Sequence, residues 1–166
     1  MSTRSPSADL TIVRLDPAAH ANACAEMMSS SEPWLTLGRT REKALELLTR
    51  RDRESYVALR DGRLAGFLVL CMQGAFVGYI QTVCVAADSR GQGIGSRLIE
   101  FAEKRILSET PNVFMCVSSF NTEAKRLYLR MGYQVVGELR DYIIAGHSEI
   151  LLRKTIGPLG RAPARG

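Results

Sequence analysis

The sequence predicts a single α/β domain: a central mixed, mostly antiparallel sheet of about six to seven strands flanked by about four helices. Three observations carry that expectation. The chain has 166 residues, 46% of them apolar, which suits one buried core and one domain. Strand-like apolar runs alternate with amphipathic stretches of helical period along its length. The junctions carry turn and cap chemistry, with Asp61-Gly62 and Asn121 the clearest cases.

In chain order, Leu10–Leu15 reads as a short strand. Asp16 is a fitting N-cap, and Pro17 a fitting first residue, for a helix over Pro17–Ser31. Ser29–Gly38 is a loop, and Thr40 opens a second helix, Arg41–Arg51, with an apolar stripe of Ala44, Leu45, Leu47 and Leu48. Arg50-Arg51-Asp52-Arg53 is expected to close that helix, where cations suit the dipole. Ser55–Arg60 and Leu64–Met72 form a hairpin around Asp61-Gly62, and Tyr79–Ala86 is the next strand. A helix over Gly93–Ser108 places Ile94, Leu98, Phe101, Ala102 and Arg105 on one face. Val113–Val117 is a strand, after which Asn121 caps a helix through Ala124, Leu127, Tyr128 and Met131 that Gly132 closes. Tyr133–Arg140 and Glu149–Lys154 are the last strands, around the loop Asp141–Ser148. The domain is expected to span residues 10–156, with 1–9 and 157–166 as flexible tails.

The net charge is +5, from 22 Lys+Arg against 17 Asp+Glu. The basic residues are scattered rather than gathered in a stripe, which argues against nucleic acid as a partner. No run approaches the roughly 18–20 apolar residues that cross a bilayer. Residues 1–10 carry no apolar signal core, so no membrane and a cytoplasmic location are expected. Cys24, Cys71, Cys84 and Cys116 lack C-x-x-C spacing, and with only His20 and His147 beside them they imply no metal site. Cys71, Cys84 and Cys116 lie inside strand-like apolar runs and read as small buried hydrophobes.

The most informative segment is the strand Tyr79–Ala86 feeding Arg90-Gly-Gln-Gly-Ile-Gly95 and then a helix. Glycines at alternate positions let the backbone turn sharply and leave its N–H groups uncovered. At the positive end of a helix such groups are a seat for a phosphate or diphosphate. Taken alone, the turn equally suits glycines kept for shape. A P-loop would need G-x-x-x-x-G-K-[ST], which is absent, and a dinucleotide fingerprint counted from Gly91 would end on Ser96 instead of glycine.

The hexapeptide Arg90-Gly91-Gln92-Gly93-Ile94-Gly95 fits R-x-x-G-x-G and resembles the acyl-CoA pyrophosphate loop of the GNAT N-acetyltransferase superfamily. The pattern N-x-x-A-x-x-x-Y-x-x-x-G-[FY], met by Asn121, Ala124, Tyr128, Gly132 and Tyr133, strengthens the resemblance, as does the order of elements. The segment Leu139-Arg-Asp-Tyr142 is similar to those of relatives that modify protein N-termini, the ribosomal-protein type included.

The resemblance implies a sheet splayed between the strand before the glycine loop and the next one, with acetyl-CoA as co-substrate. Backbone groups of Val83, Cys84 and Val85 would hold the pantetheine arm, and the N–H of Val83 or Val85 would stabilise the oxyanion. Arg90, Gly91, Gln92, Gly93, Ile94, Gly95 and Ser96 would bind the diphosphate, mainly through backbone N–H, and Asn121 the cofactor arm. Tyr128 would contact the cofactor and act as general acid toward the departing thiolate, although its spacing with Ala124 and Met131 also suits a plain core residue.

The pattern departs from many relatives in lacking a carboxylate base on the strands before the loop and before Asn121, which offer Gln81, Thr82 and Cys116. Cys116 has no visible histidine partner, so direct transfer is expected rather than a covalent enzyme intermediate. A site short of a base leans toward an α-amine, whose pKa of about 7.7–8.0 lies well below the lysine value of about 10.4. His147, Glu149, Asp141 and Glu32, read as loop residues, are the candidates for a missing base. Acceptor binding is expected from Glu32, Trp34, Gln81, Asp141 and His147. The expected activity is acetyl-CoA-dependent transfer to a primary amine, on a peptide N-terminus or a small molecule, by direct attack in a ternary complex. A monomer or homodimer is expected, and the alternative function is an acyl-CoA-binding sensor or regulatory module without turnover.

Overall fold

Short-range capping sets most of the element boundaries in the computed structural model, which describes residues 9–160; the tail expectations for 1–8 and 161–166 lie outside the described residues. Strand β1 (Leu10–Arg14) leads into helix α1 (Pro17–Ser29), where the Asp16 carboxylate accepts from Ala18 N–H at 3.0 Å. The helix stops two residues earlier than expected. The Ser30 and Ser31 hydroxyls donate back to the Glu26 and Met27 carbonyls at 2.7 and 2.6 Å, satisfying groups that a further turn would have used. Helix α2 (Arg41–Leu48) begins as the Thr40 side chain accepts from Lys43 N–H.

Helix α2 also stops short, and the expectation that Arg50–Arg53 closes it is overturned. Thr49 caps the helix, its hydroxyl donating to the Leu45 carbonyl at 2.9 Å. Beyond it, Arg50 forks onto Asp52 at 2.8 and 2.6 Å, and Arg53 reaches across to Gln81. The basic cluster fastens a loop to the sheet.

Strands β2 (Glu54–Arg60) and β3 (Arg63–Cys71) meet through Asp61 and Gly62, whose φ angles of 49° and 76° are those of a tight two-residue hairpin turn. Strand β4 (Tyr79–Val85) starts at Gly78, where φ is +87°. A Cβ at Gly78 would come within 2.5 Å of the Asn112 carbonyl oxygen and of Ile106, so only glycine fits between β4, β5 and α3. A single 3-10 turn (Ala87–Ser89) and the glycine loop precede helix α3 (Ile94–Leu107), then come strand β5 (Asn112–Ser118) and helix α4 (Thr122–Arg130). Strands β6 (Gln134–Arg140) and β7 (Ser148–Thr155) finish the domain.

The seven strands form one sheet in the order β1-β2-β3-β4-β5-β7-β6. All neighbours are antiparallel except β4 and β5. Phe67 and Val69 of β3 pack with Met28, Leu47 and Cys84 toward α1 and α2, whereas Leu68 and Leu70 pack with Leu98, Ile99, Ala102 and Ile106 of α3. A central strand buried on both faces therefore reads as an unbroken apolar run. The buried side of α3 includes Ile99 and Ile106 beside Ile94, Leu98 and Ala102, Phe101 is half-buried, and Arg105 leaves the core to pair with Glu54 of β2. Among the described residues no helix is long and apolar enough to cross a membrane.

Candidate active site

Strands β4 and β5 pair only at Tyr79–Phe114 and Ile80–Met115 and then diverge, opening a wedge in the sheet. The register of β4 on β3 shifts beside Gln81, an extra residue that bends β4 where the wedge begins. Ala86 N–H donates to the Ala65 carbonyl at 2.8 Å, which marks that pair as hydrogen-bonded. Alternation along an antiparallel ladder then commits the backbone of Cys84 to β3 and turns that of Val83 and Val85 toward the wedge. Arg90 Nε takes the Val85 carbonyl at 3.3 Å. The Cys84 side chain lies in the core on the α1 side, where burial pushes its thiol up to about 12.

The glycine loop follows directly. Gly91 and Gly93 have φ of +70° and +78°, and an added Cβ would meet nothing within 4 Å at either, so glycine serves the conformation and leaves open space above the loop. Gly93 is the N-cap of α3, which therefore has no side-chain cap and no acidic residue in its first turn. The N–H groups from Gly91 to Ser96 find no acceptor among the described residues. Such a row of free donors at a helix N-terminus fits a diphosphate. Gln92 differs from its neighbours: its side chain bonds to Arg60 and to the Asp88 carbonyl, bracing the loop from behind.

Helix α4 supplies the opposite wall. Asn121 Oδ1 accepts from Ala124 N–H at 3.4 Å, which leaves the amide Nδ2 free to donate. Gly132, with φ of +94°, closes the helix as expected. Tyr128 points inward, with its ring edge-on to Tyr133 at 6.3 Å between centroids. Burial pushes its phenol up to about 12, so it stays protonated at neutral pH.

Two cavities meet here. The larger, of about 700 Å³, runs over Val83–Val85, the glycine loop and the start of α4. The smaller, of about 130 Å³, lies on the other side of the wedge against Tyr79, Gln81, Cys116, Ser118 and Glu149. Pro33, Trp34, Val83, Asn121 and Tyr128 line both. Val83 and Tyr128 thus stand at the junction, whereas Val85 borders the larger cavity alone.

Strands β4 and β5 carry no carboxylate, and of the four candidate bases only Glu149 enters the smaller cavity. It is the second residue of β7, is only 5% exposed, and lines the smaller cavity. Burial raises its pKa above the usual carboxylate range, against an opposing hydrogen bond from Ser118. An acid leading directly into the apolar run Ile150-Leu-Leu152 was the signal that could have singled it out. Tyr79, which lines the smaller cavity with Cys116, was not anticipated. Burial raises the Cys116 thiol, which keeps it protonated and a poor nucleophile.

The other expected acceptor residues divide. Trp34 lines both cavities, and Gln81 lines the smaller one with its Oε1 held by Arg53 Nε at 2.7 Å. Glu32 borders the larger cavity, its carboxylate accepting from Thr36 N–H and hydroxyl at 3.1 and 3.0 Å. Asp141 and His147 line neither cavity: Asp141 closes its own loop by accepting from Gly146 N–H at 2.7 Å, and His147 packs edge-on to Phe120. Among the described residues no cluster of three or more His, Cys, Asp or Glu is placed to hold a metal ion.

Comparison with known proteins follows the same lines. Residues 20–133 match the family model described as Acetyltransferase (GNAT) family. The blasticidin-S acetyltransferase of Streptomyces morookaense is 32% identical over 100 residues, 60% of this chain and 73% of that protein. An aminoglycoside 6'-N-acetyltransferase complexed with coenzyme A superposes with a TM-score of 0.69 at 18% identity, over 89% of this chain and 98% of the other. The ribosomal-protein-S18-alanine N-acetyltransferase of Escherichia coli gives a TM-score of 0.72 at 16% identity, over 90% and 96%. The last two share the fold.

Proposed function

The chain belongs to the acetyltransferase (GNAT) family, and from that premise we propose that it transfers acetyl from acetyl-CoA directly to a primary amine held in the smaller cavity. Acetyl-CoA supplies an acetyl group activated as a thioester. The free N–H row of Gly91–Ser96 suits its diphosphate, and the outward-facing backbone of Val83 and Val85 suits the arm. Val83, which lines both cavities, would donate its N–H to the acyl oxygen.

Glu149, ionised, takes a proton from the ammonium form of the acceptor, and the freed nitrogen lone pair forms the new C–N bond as the C–S bond breaks. Tyr128 supplies the proton that the departing sulfur needs. The second proton, which the new amide nitrogen sheds, returns to the Tyr128 phenolate left once the sulfur is protonated. The single observation that carries this reading is the meeting of the two cavities at Tyr128 and Val83, with a buried carboxylate in the smaller. The same carboxylate favours turnover over the sensor alternative, which drew on a site lacking a base. Thiol release from acetyl-CoA with a panel of amines and peptides tests it: amine-dependent release is expected, and release that no amine accelerates would overturn it.

A further inference from the structure

Two of the residues that line the smaller cavity bear ionisable side chains of opposite sign: Glu149 on β7 and Arg39 in the loop before α2. Arg39 is half-buried, and every ion pair among the described residues lies elsewhere. Its neighbour Arg41 shows the contrast, being tied to Asn22 at 2.8 Å and Glu26 at 3.4 Å away from the site. Arg39 is held in place by its own backbone, whose N–H donates to the Trp34 carbonyl at 2.9 Å. It borders the smaller cavity and not the larger one, where Arg90 and Arg130 stand beside the diphosphate seat.

Resting on the amine-acetylation reading above, we propose that the acceptor is a small zwitterion. Its primary amine meets Glu149, and an anionic group on the same molecule, a carboxylate or a phosphorus oxyanion, meets Arg39. A simple monoamine would occupy Glu149 and leave the Arg39 guanidinium, which makes no ion pair of its own among the described residues, without a counter-charge in a confined space, which desolvation makes costly. A zwitterion supplies one partner for each charge and leaves the filled cavity neutral. The volume agrees, since about 130 Å³ admits only a few heavy atoms, against roughly 300–1,000 Å³ for pockets that take drug-sized molecules. The remaining walls, Met28, Leu37, Leu47, Met115 and Ile143 among them, suit a short aliphatic spacer.

The test compares kcat/KM, by thiol release, for short amino acids, aminoalkylphosphonates, monoamines of matched chain length and unblocked peptides. The zwitterions are expected to lead their matched monoamines, and the ranking of carboxylate against phosphonate identifies the anion. In Arg39→Gln the ratio of zwitterion to monoamine should fall by roughly tenfold or more, and Arg39→Lys should restore part of it. Calorimetric titration of each zwitterion into protein saturated with coenzyme A gives an independent reading of binding. Monoamines or peptides acetylated as well as the zwitterions, or a ratio that survives Arg39→Gln, would overturn the zwitterion and leave the acetyltransferase standing. Zwitterions that give neither turnover nor heat overturn it as well. If coenzyme A itself gave no heat and no amine were acetylated, both readings would fall together.

Discussion

Ser118 donates its hydroxyl hydrogen to Glu149 Oε1 across 2.6 Å, the two residues facing each other in the β5–β7 register. Burial raises the Glu149 pKa, and the Ser118 bond, by favouring the charged form, pulls the other way. A base acts when ionised, so activity should climb with pH through a value above the ordinary carboxylate range. Ser118→Ala is expected to move that rise to higher pH. Glu149→Gln should remove it and lower kcat by roughly 10²–10⁴-fold, as measured by thiol release against pH.

Folding stability gives the control for that variant. The folded pKa of Glu149 lies above the unfolded one, so between the two values the native state binds more proton and stability falls as pH rises. The contribution is whole below the unfolded pKa and lost above the folded one. Glu149→Gln, which keeps the shape and carries no charge, should therefore melt no lower than the parent at pH 8. A clearly lower melting temperature there would make the loss of rate a folding effect.

Tyr128→Phe tests the acid at the other end of the transfer. The ring fills the same space against Tyr133, so coenzyme A affinity by calorimetry should hardly change. Turnover should fall by roughly tenfold or more. Undiminished turnover would leave Tyr128 as a packing residue, the role its spacing with Ala124 and Met131 also suits.

Much of this site was legible before any coordinates, and the part that was not has a common cause. Asn121, Gly132 and the Asp61-Gly62 turn act within a few residues of themselves, so their side-chain and backbone preferences declare them. Glu149 reaches the cavity only because β7 lies between β5 and β6 and sets it opposite Ser118, 31 residues away in sequence. Arg39 and Glu149 share a cavity through the packing of a loop over the wedge, which no local pattern encodes. Gln92 sits inside the recognised loop motif yet turns its side chain to Arg60, a contact set by the approach of β2. The free faces of Val83 and Val85 required the register of β4, where the displacement at Gln81 changes the count.

Gly93→Ala addresses the diphosphate seat. No atom stands within 4 Å of the added methyl, so the whole effect is the strain of φ at +78°. A left-handed alanine costs about 1–2 kcal/mol, which the loop will partly relieve by moving the N–H groups of Ile94 to Ser96. The expected result is a modestly lower melting temperature with a several-fold weaker coenzyme A affinity in calorimetry. Unchanged affinity would detach this helix start from the cofactor.

An ion pair between Arg105 and Glu54 holds α3 against the sheet. Arg105 forks onto Glu54, with Nε to Oε2 at 2.8 Å and Nη2 to Oε1 at 2.6 Å, and Tyr56 donates its hydroxyl to the same carboxylate at 2.9 Å. Desolvation pulls the Glu54 pKa up, but the hydrogen bonds from Arg105 and Tyr56, with the Arg105 and Arg14 charges, outweigh it and leave the pKa lowered. An acid with a depressed folded pKa contributes stability above its unfolded pKa, near about 4.3 for glutamate, and loses it as pH falls through the folded value. Glu54→Gln should therefore cost about 1–3 kcal/mol at pH 7, since the pair is three-quarters or more shielded from solvent. In urea titrations the gap between parent and variant should narrow as pH falls below 4, because the parent then protonates the carboxylate that the variant already lacks. A gap that stayed constant across that range would assign the loss to packing rather than to charge.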